Sequence, residues 1–157
     1  MMRIETERLL LYPISNEEME ALIQEETEPD LKQAYTEMLQ GCCREPENRI
    51  WYALWMMELK NAPRTIVGDF SFKGLSTDGT VEIGYGLRDG FCGNGYMTEA
   101  VKAATVWALT QTGVTRVEAE TDPGNTASQK VLAACGFAPT GTFGEEGPRY
   151  VYTGNPA

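Results

Sequence analysis

The amino-acid sequence predicts a single α+β domain in which helices pack on one mixed sheet. Its 157 residues match the usual length of one domain. Hydrophobic residues make up 42% of the chain and charged residues 23%, a composition typical of a globular protein with a core. The hydrophobic spacing also switches between strand and helix periods, in the order strand, two helices, three strands, helix, strand, helix, two strands.

The N-terminal part is predicted to form one strand and two helices. Residues 4–14 contain three consecutive leucines and end near a proline, as an extended segment does. Residues 15–18, Ser-Asn-Glu-Glu, form a capping box that begins the first helix. Pro29 suits a first helical turn, so we expect the second helix over residues 29–40, with Gly41 ending it.

The remaining elements are predicted to form a meander followed by two helices and three further strands. The segments 51–59, 66–75 and 80–87 are separated by short turns, which predicts three antiparallel strands. A glycine-rich loop then begins a long helix that ends before Gly113. The last elements are a strand at 116–121, a helix from Asn125 or Thr126 to Gly136, and strands at 138–143 and 149–153.

The chain contains no histidine, which excludes several kinds of site. There can be no Ser-His-Asp triad, no Cys-His pair and no His-ligated metal, and we expect no metal cofactor. A general base must therefore be a carboxylate, Lys, Tyr, Cys or water. The formal charge of 13 − 23 = −10 argues against nucleic-acid binding and favours a cationic or amine-bearing partner.

A cytoplasmic location without membrane attachment is expected. The first eleven residues carry four charges where a signal peptide would be apolar, and no apolar run reaches the ~20 residues of a membrane span. The four cysteines form no Cys-x-x-Cys pair, which favours reduced thiols. The sequence leaves the oligomeric state open between a monomer and a homodimer.

The glycine-rich loop before the long helix is the first candidate for ligand binding. Glycines allow backbone N–H groups to converge, and the helix N-terminus adds the positive end of its dipole. Such a loop binds phosphate or pyrophosphate without a basic side chain, although similar loops also occur without a ligand. A P-loop is excluded because no Lys follows Gly95, and a dinucleotide fingerprint would need a small residue in place of Thr98.

Four segments together carry a family resemblance. They are the glycine-rich loop, the segment 117–132 followed by Cys135-Gly136-Phe137, the opening segment 5–11 and the segment 81–87. Together they resemble the GNAT acyltransferase superfamily, and within it the branch of ribosomal-protein N-terminal acetyltransferases. The resemblance covers nearly the whole chain. It implies a mixed, mostly antiparallel seven-stranded sheet with about four helices, splayed between its fourth and fifth strands.

The resemblance implies acetyl-CoA as the co-substrate. The family pattern Gln/Arg-x-x-Gly-x-Gly/Ala falls on residues 92–97, where Gly95 matches, Cys92 replaces Gln or Arg, and Met97 replaces the small residue. The backbone of the loop would hold the pyrophosphate, and an N–H near Leu87 would polarise the thioester carbonyl. The implied cofactor-binding residues are Leu87, Gly93, Asn94, Gly95, Tyr96, Met97, Thr98, Asn125, Ser128 and Lys130.

Two side chains are implied to act in catalysis, each with a simpler alternative. Glu82 lies on the predicted fourth strand, where related enzymes place an acid that removes the proton of the amine, directly or through water. Alternatively, it is a solvated strand residue or a charge that orients the amine. Ser128 lies where this branch of the family places a group near the cofactor sulfur, and it would protonate the leaving thiolate. Alternatively, it only satisfies backbone N–H groups at the start of its helix.

The implied function is that of an N-acetyltransferase, which moves an acetyl group from acetyl-CoA to a primary amine by direct transfer. The acceptor is open between a small-molecule amine and a protein N-terminus. The alternative is an acyl-CoA-binding module or sensor with little or no transferase activity, since Cys92 and Met97 depart from the loop pattern.

Overall fold

The computed structural model describes residues 2–154, which form two hydrogen-bonded sheets and four α-helices. The strands are β1 (Ile4–Glu5), β2 (Leu9–Pro13), β3 (Trp55–Leu59), β4 (Ile66–Ser71), β5 (Thr80–Glu82), β6 (Gly84–Leu87), β7 (Arg116–Glu120), β8 (Ala138–Phe143) and β9 (Pro148–Tyr152). The helices are α1 (Asn16–Glu25), α2 (Pro29–Arg44), α3 (Tyr96–Leu109) and α4 (Thr126–Ala134), with a 3-10 helix at Pro46–Trp51. The first sheet has the order β1-β2-β3-β4-β6, and the second has the order β5-β7-β9-β8.

The two sheets separate at Ile83, which lies between β5 and β6 in the chain. β5 pairs in parallel with β7, with Glu82 opposite Glu118, and the N–H of Ile83 donates to the carbonyl oxygen of Glu118 at 2.8 Å. β6 then pairs antiparallel with β4 and is the edge strand of the first sheet. The predicted splay therefore lies where β6 diverges from β7.

The α+β fold class and the mostly antiparallel pairing are confirmed. Among the described strands only β5 and β7 pair in parallel. The strand count differs, because residues 2–154 form nine short strands rather than seven. The segment 4–14 is a hairpin, in which the N–H of Thr6 donates to the carbonyl oxygen of Leu9 at 2.9 Å, and the segment 80–87 divides at Ile83.

Three predicted boundaries around α2 and the meander are wrong. α2 does not end at Gly41 but continues past it. A Cβ at position 41 would lie 2.5 Å from Cδ1 of Tyr52, so this glycine permits close packing and is not a helix stop. β3 begins at Trp55 because the chain up to Trp51 forms the 3-10 helix, and β4 ends at Ser71 rather than at residue 75.

The first sheet separates two apolar layers. The main layer packs against α3 and α4 and contains an aromatic cluster of Trp51, Trp55, Phe70, Phe72 and Trp107. The smaller layer lies under α1 and α2 and includes Met19, Tyr35, Leu54 and Met56. Side chains alternate along β4, so Phe70 enters the main layer, whereas Asp69, which pairs with Met56, faces the side of α2.

Candidate functional site

The opening between β6 and β7 leads into a cavity of about 420 Å³. α2 and β4 form one side of this cavity, and the turn from β7 into α4 forms the other. β6 is an edge strand of only four residues. Side chains from both faces of the first sheet therefore line the cavity around it. Asp69 lines the cavity from the side of α2, and Tyr85 and Ser128 line it from the side of α4.

The glycine-rich loop approaches α3 with a backbone conformation that favours glycine. Gly90, Gly93 and Gly95 have φ angles of 89°, 82° and 77°. Gly95 is the N-cap of α3 and supplies no side-chain hydrogen bond, so the first N–H groups of the helix lack a side-chain cap. A Cβ at Gly93 would meet no atom within 4 Å, so the loop borders open space. This geometry fits a negatively charged group bound at the start of α3.

The predicted cofactor-binding residues of this loop have different surroundings. The side-chain amide of Asn94 donates to the carbonyl oxygens of Phe91 and Cys92, both at 3.3 Å, so it shapes the loop itself. Met97 is only 5% exposed and belongs to the main apolar layer, so its side chain does not crowd the loop. The remaining candidates offer backbone N–H groups, and they are Gly93, Gly95, Tyr96 and Thr98.

Arg8, in the turn of the β1–β2 hairpin, holds this loop in place, and we call its contacts with the loop and α3 the brace. Arg8 is not among the residues predicted from the sequence. Arg8 Nη1 donates to the carbonyl oxygen of Asn94 at 2.9 Å, and Arg8 Nε donates to Glu99 Oε1 at 2.7 Å. The guanidinium also lies over the ring of Tyr96, 4.5 Å from its centroid. Burial alone would raise the pKa of Glu99, but hydrogen bonds from Thr6 and Arg8 outweigh it and lower this pKa.

Ser128 lies in the first turn of α4, where its side chain contacts the hydroxyl group of Tyr85 from β6. The hydroxyl oxygen of Tyr85 lies 2.8 Å from Ser128 Oγ, and either group can donate. The N–H of Ser128 donates to Oδ1 of Asn125, the N-cap of α4, at 3.0 Å. Burial raises the pKa of Tyr85 and its hydrogen bond with Ser128 lowers it, with a net rise that keeps the phenol neutral. Tyr85 is not among the residues predicted from the sequence, although its strand position between two glycines was a usable signal.

The backbone N–H of Leu87 faces the opening. The N–H of Arg88 donates to the carbonyl oxygen of Val67 at 2.8 Å, which makes Gly68 and Leu87 a non-hydrogen-bonded pair. The N–H of Leu87 consequently points away from β4, toward the open edge of β6. Lys130 lies on the exposed side of α4, outside the cavity.

Glu82 lines a second cavity beside the first and is ion-paired through both oxygens. Oε2 accepts from Lys73 Nζ at 3.0 Å, and Oε1 accepts from Arg149 Nη2 at 2.9 Å. Arg149 also donates to Glu118 and Glu120, so one guanidinium joins β5, β7 and β9. Each oxygen of Glu82 therefore already has a cationic partner. The base role of Glu82 stays a prediction.

Asp69 is an acid of the cavity that sequence analysis missed. Within residues 2–154 no group donates a hydrogen bond to its carboxylate, and burial raises its pKa to about 6 against a smaller opposing effect of Arg88. Burial likewise raises the pKa of the neighbouring Tyr35 to about 12, with the charge of Asp69 adding to the effect. An acid inside the mostly apolar segment Ile66–Ser71 was the available signal.

The sequence also matches a known family. The family model described as an acetyltransferase (GNAT) domain matches residues 8–138, most of the chain. The chain belongs to the GNAT acetyltransferase family. A relative of this GNAT chain, the uncharacterized N-acetyltransferase p20 from Bacillus licheniformis, is 32% identical over 77 residues. The match covers 48% of this chain and 43% of p20, so it spans less than half the length of that relative.

Solved structures share the GNAT fold of this chain. RimL, the ribosomal L7/L12 alpha-N-protein acetyltransferase in complex with coenzyme A, superimposes with a TM-score of 0.74 and 17% identity, over 97% of this chain and 98% of RimL. The ribosomal-protein-S5-alanine acetyltransferase from Vibrio fischeri gives a TM-score of 0.72 and 18% identity, over 96% of this chain and 94% of that one. The family and the fold expected from the sequence are both confirmed.

Three further observations concern the described part of this GNAT chain. Across residues 2–154, no helix combines the length and the apolar character needed to cross a bilayer. The same residues hold no group of three or more His, Cys, Asp or Glu side chains arranged to bind a metal ion. The four cysteines are free thiols, with Cys42 and Cys135 buried and Cys43 and Cys92 exposed.

Proposed function

We propose that this GNAT protein transfers an acetyl group from acetyl-CoA to a primary amine, by direct attack of the amine on the thioester. The observation that carries the proposal is the opening at Ile83, flanked by the uncapped start of α3 and by the hydroxyl pair of Tyr85 and Ser128. These groups suit a ligand with a pyrophosphate and a thioester. RimL, which shares the fold, holds coenzyme A in its solved structure.

The residues predicted to bind the cofactor have distinct roles in this proposal. The N–H groups from Gly93 to Thr98 hold the pyrophosphate at the start of α3. Asn125 contacts the cofactor while it caps α4, and the exposed Lys130 pairs with a phosphate. The N–H of Leu87 donates to the thioester carbonyl oxygen, where negative charge develops during attack.

Two proton transfers complete the proposed reaction. The acceptor arrives as an ammonium ion, with a pKa of about 10 for an alkylamine, so a proton must leave before attack. Glu82 is the acid that the sequence predicts for this step. Ser128, together with Tyr85, protonates the leaving thiolate. Positioning the two substrates against each other supplies most of the rate, because a CoA thiolate leaves with little help.

We propose a cationic acceptor, and specifically the N-terminus of a protein or a small amine. Four carboxylate side chains and one lysine line the cavity, namely Asp69, Glu120, Asp122, Glu146 and Lys73. Their negative excess attracts an ammonium group. The names of RimL and the Vibrio fischeri enzyme describe acetylation of ribosomal proteins, which supports a protein N-terminus. We place the reaction in the cytoplasm, where free cysteines stay reduced.

A thermal-shift titration with acetyl-CoA, CoA and NAD, followed by thiol release against a panel of amines, tests the proposed function. A ligand at 100 times its Kd that binds only the folded protein stabilises it by about 2.7 kcal/mol. Acetyl-CoA and CoA are expected to raise the Tm, NAD is not, and one class of amine is expected to release thiol. Stabilisation without thiol release would favour the acyl-CoA-binding module, and no stabilisation would reject both functions.

A further inference from the structure

We propose that Asp69 receives the ammonium group of the acceptor inside the cavity and removes its proton before attack. The proposal rests on the acetyl transfer proposed above and assigns to Asp69 the step predicted for Glu82. Three features support it: an open path from Asp69 to the edge of β6, a carboxylate without a partner, and the pairing of Glu82 with two cations.

Glycines on β6 open a path from Asp69 to the splay. Asp69 lies opposite Gly86 in the β4–β6 ladder, and Ser71 lies opposite Gly84. Opposite residues project to the same face, so β6 places no side chain over Asp69. A Cβ at Gly86 would meet no atom within 4 Å, so the space there is open. The far edge of β6 is about one strand spacing, ~5 Å, from the β4 backbone at Asp69.

The opposite face of β6 carries the hydroxyl groups. Tyr85 alternates with the two glycines, so its side chain points to the side of α4, where it meets Ser128. Asp69 and this hydroxyl pair nevertheless line the same cavity, which continues around the edge of β6. An amine held by Asp69 therefore reaches a thioester held beside Tyr85 from the opposite side of that edge. The nucleophile and the leaving group do not compete for the same space.

Asp69 is partly buried and has no donor within residues 2–154. Within the same residues, the charge of Arg88 acts against the rise in its pKa. By contrast, Glu120 accepts from Arg149 Nη1 at 2.6 Å, and Glu82 is held by two cations. A partly desolvated carboxylate without a protein donor is less favourable than a paired one, and an ammonium group supplies up to three donors. Binding the acceptor therefore satisfies Asp69 without breaking an existing ion pair.

The basicity of Asp69 suits proton removal at neutral pH. Because burial raises its pKa to about 6, the carboxylate is ionised at neutral pH yet accepts a proton more readily than an ordinary Asp. A peptide α-ammonium has a pKa of about 8 and a lysine side chain one of about 10.4, so the α-amine gives up its proton on the order of 100-fold more readily. An α-ammonium group is therefore the easier of the two for Asp69 to deprotonate.

The atoms and charges of the proposed step balance. One N–H bond of the ammonium breaks, and its proton passes to an Oδ atom of Asp69. The freed lone pair forms the C–N bond to the thioester carbon, and the C–S bond breaks with its electron pair on sulfur. A second proton from the nitrogen reaches the thiolate through the hydroxyl groups of Tyr85 and Ser128, which yields the CoA thiol. Asp69 then releases its proton to water.

The Asp69→Asn variant tests the assignment, because the amide keeps the size of the side chain and removes the base. With acetyl-CoA and a tripeptide amide that has a free α-amino group, the wild-type kcat/KM is expected to rise through about pH 6. In D69N it is expected to fall about 100-fold or more and to lose this inflection. CoA affinity and the far-ultraviolet circular dichroism are expected to stay the same. Asp30→Asn, on the exposed first turn of α2, is the charge-matched control and should keep the wild-type profile.

Carbon-13 NMR of the labelled Asp carboxyl groups gives a readout that needs no turnover. The signal missing in D69N identifies Asp69, and we expect it to titrate near pH 6 and to move to lower pH when the tripeptide amide joins the CoA complex. Titration near the ordinary value of about 4, or no response to the peptide, would overturn the proposal. So would loss of the pH inflection in E82Q rather than in D69N. Absence of thiol release from the wild type would reject the proposed function, while the NMR titration would still decide whether Asp69 binds the amine.

Discussion

The hydroxyl oxygens of Tyr85 and Ser128 lie 2.8 Å apart, although 43 residues separate the two in the chain. Tyr85 comes from the edge strand β6 and Ser128 from the first turn of α4, so the contact connects two elements on either side of the splay. It places two exchangeable protons beside the path that we propose for the thioester. The pair therefore gives the proposed leaving-group step a definite structural basis.

Removing either hydroxyl group should slow departure of the thiolate. We expect Tyr85→Phe and Ser128→Ala each to lower kcat, by less than the ~100-fold typical of a general acid, because a CoA thiolate leaves readily. The double variant should be hardly slower than the slower single variant, since both groups act in one relay. Thiol release at saturating substrate measures the effect. Losses that multiply in the double variant would mean that the two groups act independently.

Removing the brace at Arg8 should weaken cofactor binding without changing the cavity. Arg8→Ala takes away the hydrogen bonds to Asn94 and Glu99, so the glycine-rich loop loses its fixed position before α3. We expect a several-fold weaker affinity for CoA by calorimetry. Arg3→Ala is the matched control, because the ion pair of Arg3 with Glu5 is exposed at both ends. Equal CoA affinity in the two variants would rule out the brace.

The stability of the fold should depend on the ionisation of Asp69. Its pKa of about 6 in the folded protein exceeds the ordinary 3.8, so the folded state binds the proton more tightly than the unfolded state. The contribution of Asp69 is therefore most favourable below about pH 4 and is lost as the pH rises through about 6. Relative to wild type, D69N should raise the free energy of unfolding at pH 8 by as much as about 2–3 kcal/mol and should change it little at pH 4.

Urea denaturation of both proteins at the two pH values measures this difference. D30N provides the control, since it removes a charge from an exposed site. A D69N effect of the same size at pH 4 and pH 8 would contradict the burial of an ionised Asp69.

Filling the space at Gly86 should block the acceptor and leave the fold intact. A Cβ there meets no atom within 4 Å, and valine suits a strand, so we expect the fold to accept Gly86→Val. Its side chain would stand between Asp69 and the edge of β6, so kcat/KM for the amine should fall about tenfold or more while acetyl-CoA binding persists. Gly41→Ala is the contrasting variant, since its Cβ would lie 2.5 Å from Cδ1 of Tyr52 and should lower the Tm instead. Unchanged amine kinetics in Gly86→Val would place the path elsewhere.

The starts of the helices could be predicted, because local sequence signals mark them. The capping box at Ser15 is present in the structure, where Ser15 Oγ accepts from the N–H of Glu18 at 3.1 Å. The helices α3 and α4 also lie where glycine and asparagine signals placed their starts. The break at Ile83 was not predictable in this way. Alternation continues through residues 80–87, and the change of partner from β7 to β4 depends on tertiary pairing.

The candidate site was predictable only where a local motif carries it. The segments 81–87 and 117–132, which resemble the family, locate Glu82 and Ser128. They contain nothing about Arg149, which pairs with Glu82 from 67 residues away. Asp69 is visible in the sequence as one acid in an apolar strand. Its burial depends on α2, and its access to the splay depends on the missing side chains of β6, neither of which the strand sequence reveals.

The free edge of β6 also bears on how the protein avoids aggregation. An edge strand with unpaired backbone groups invites sheet-to-sheet association between molecules. Here the edge is four residues long, half of them glycine, and it lies in a recess between α2 and the start of α4. Four residues offer few hydrogen bonds to a second sheet, and the two glycines add no apolar side chain to such a contact. The fold thus leaves these backbone groups accessible to a ligand and gives another copy of its own sheet only a short edge to pair with.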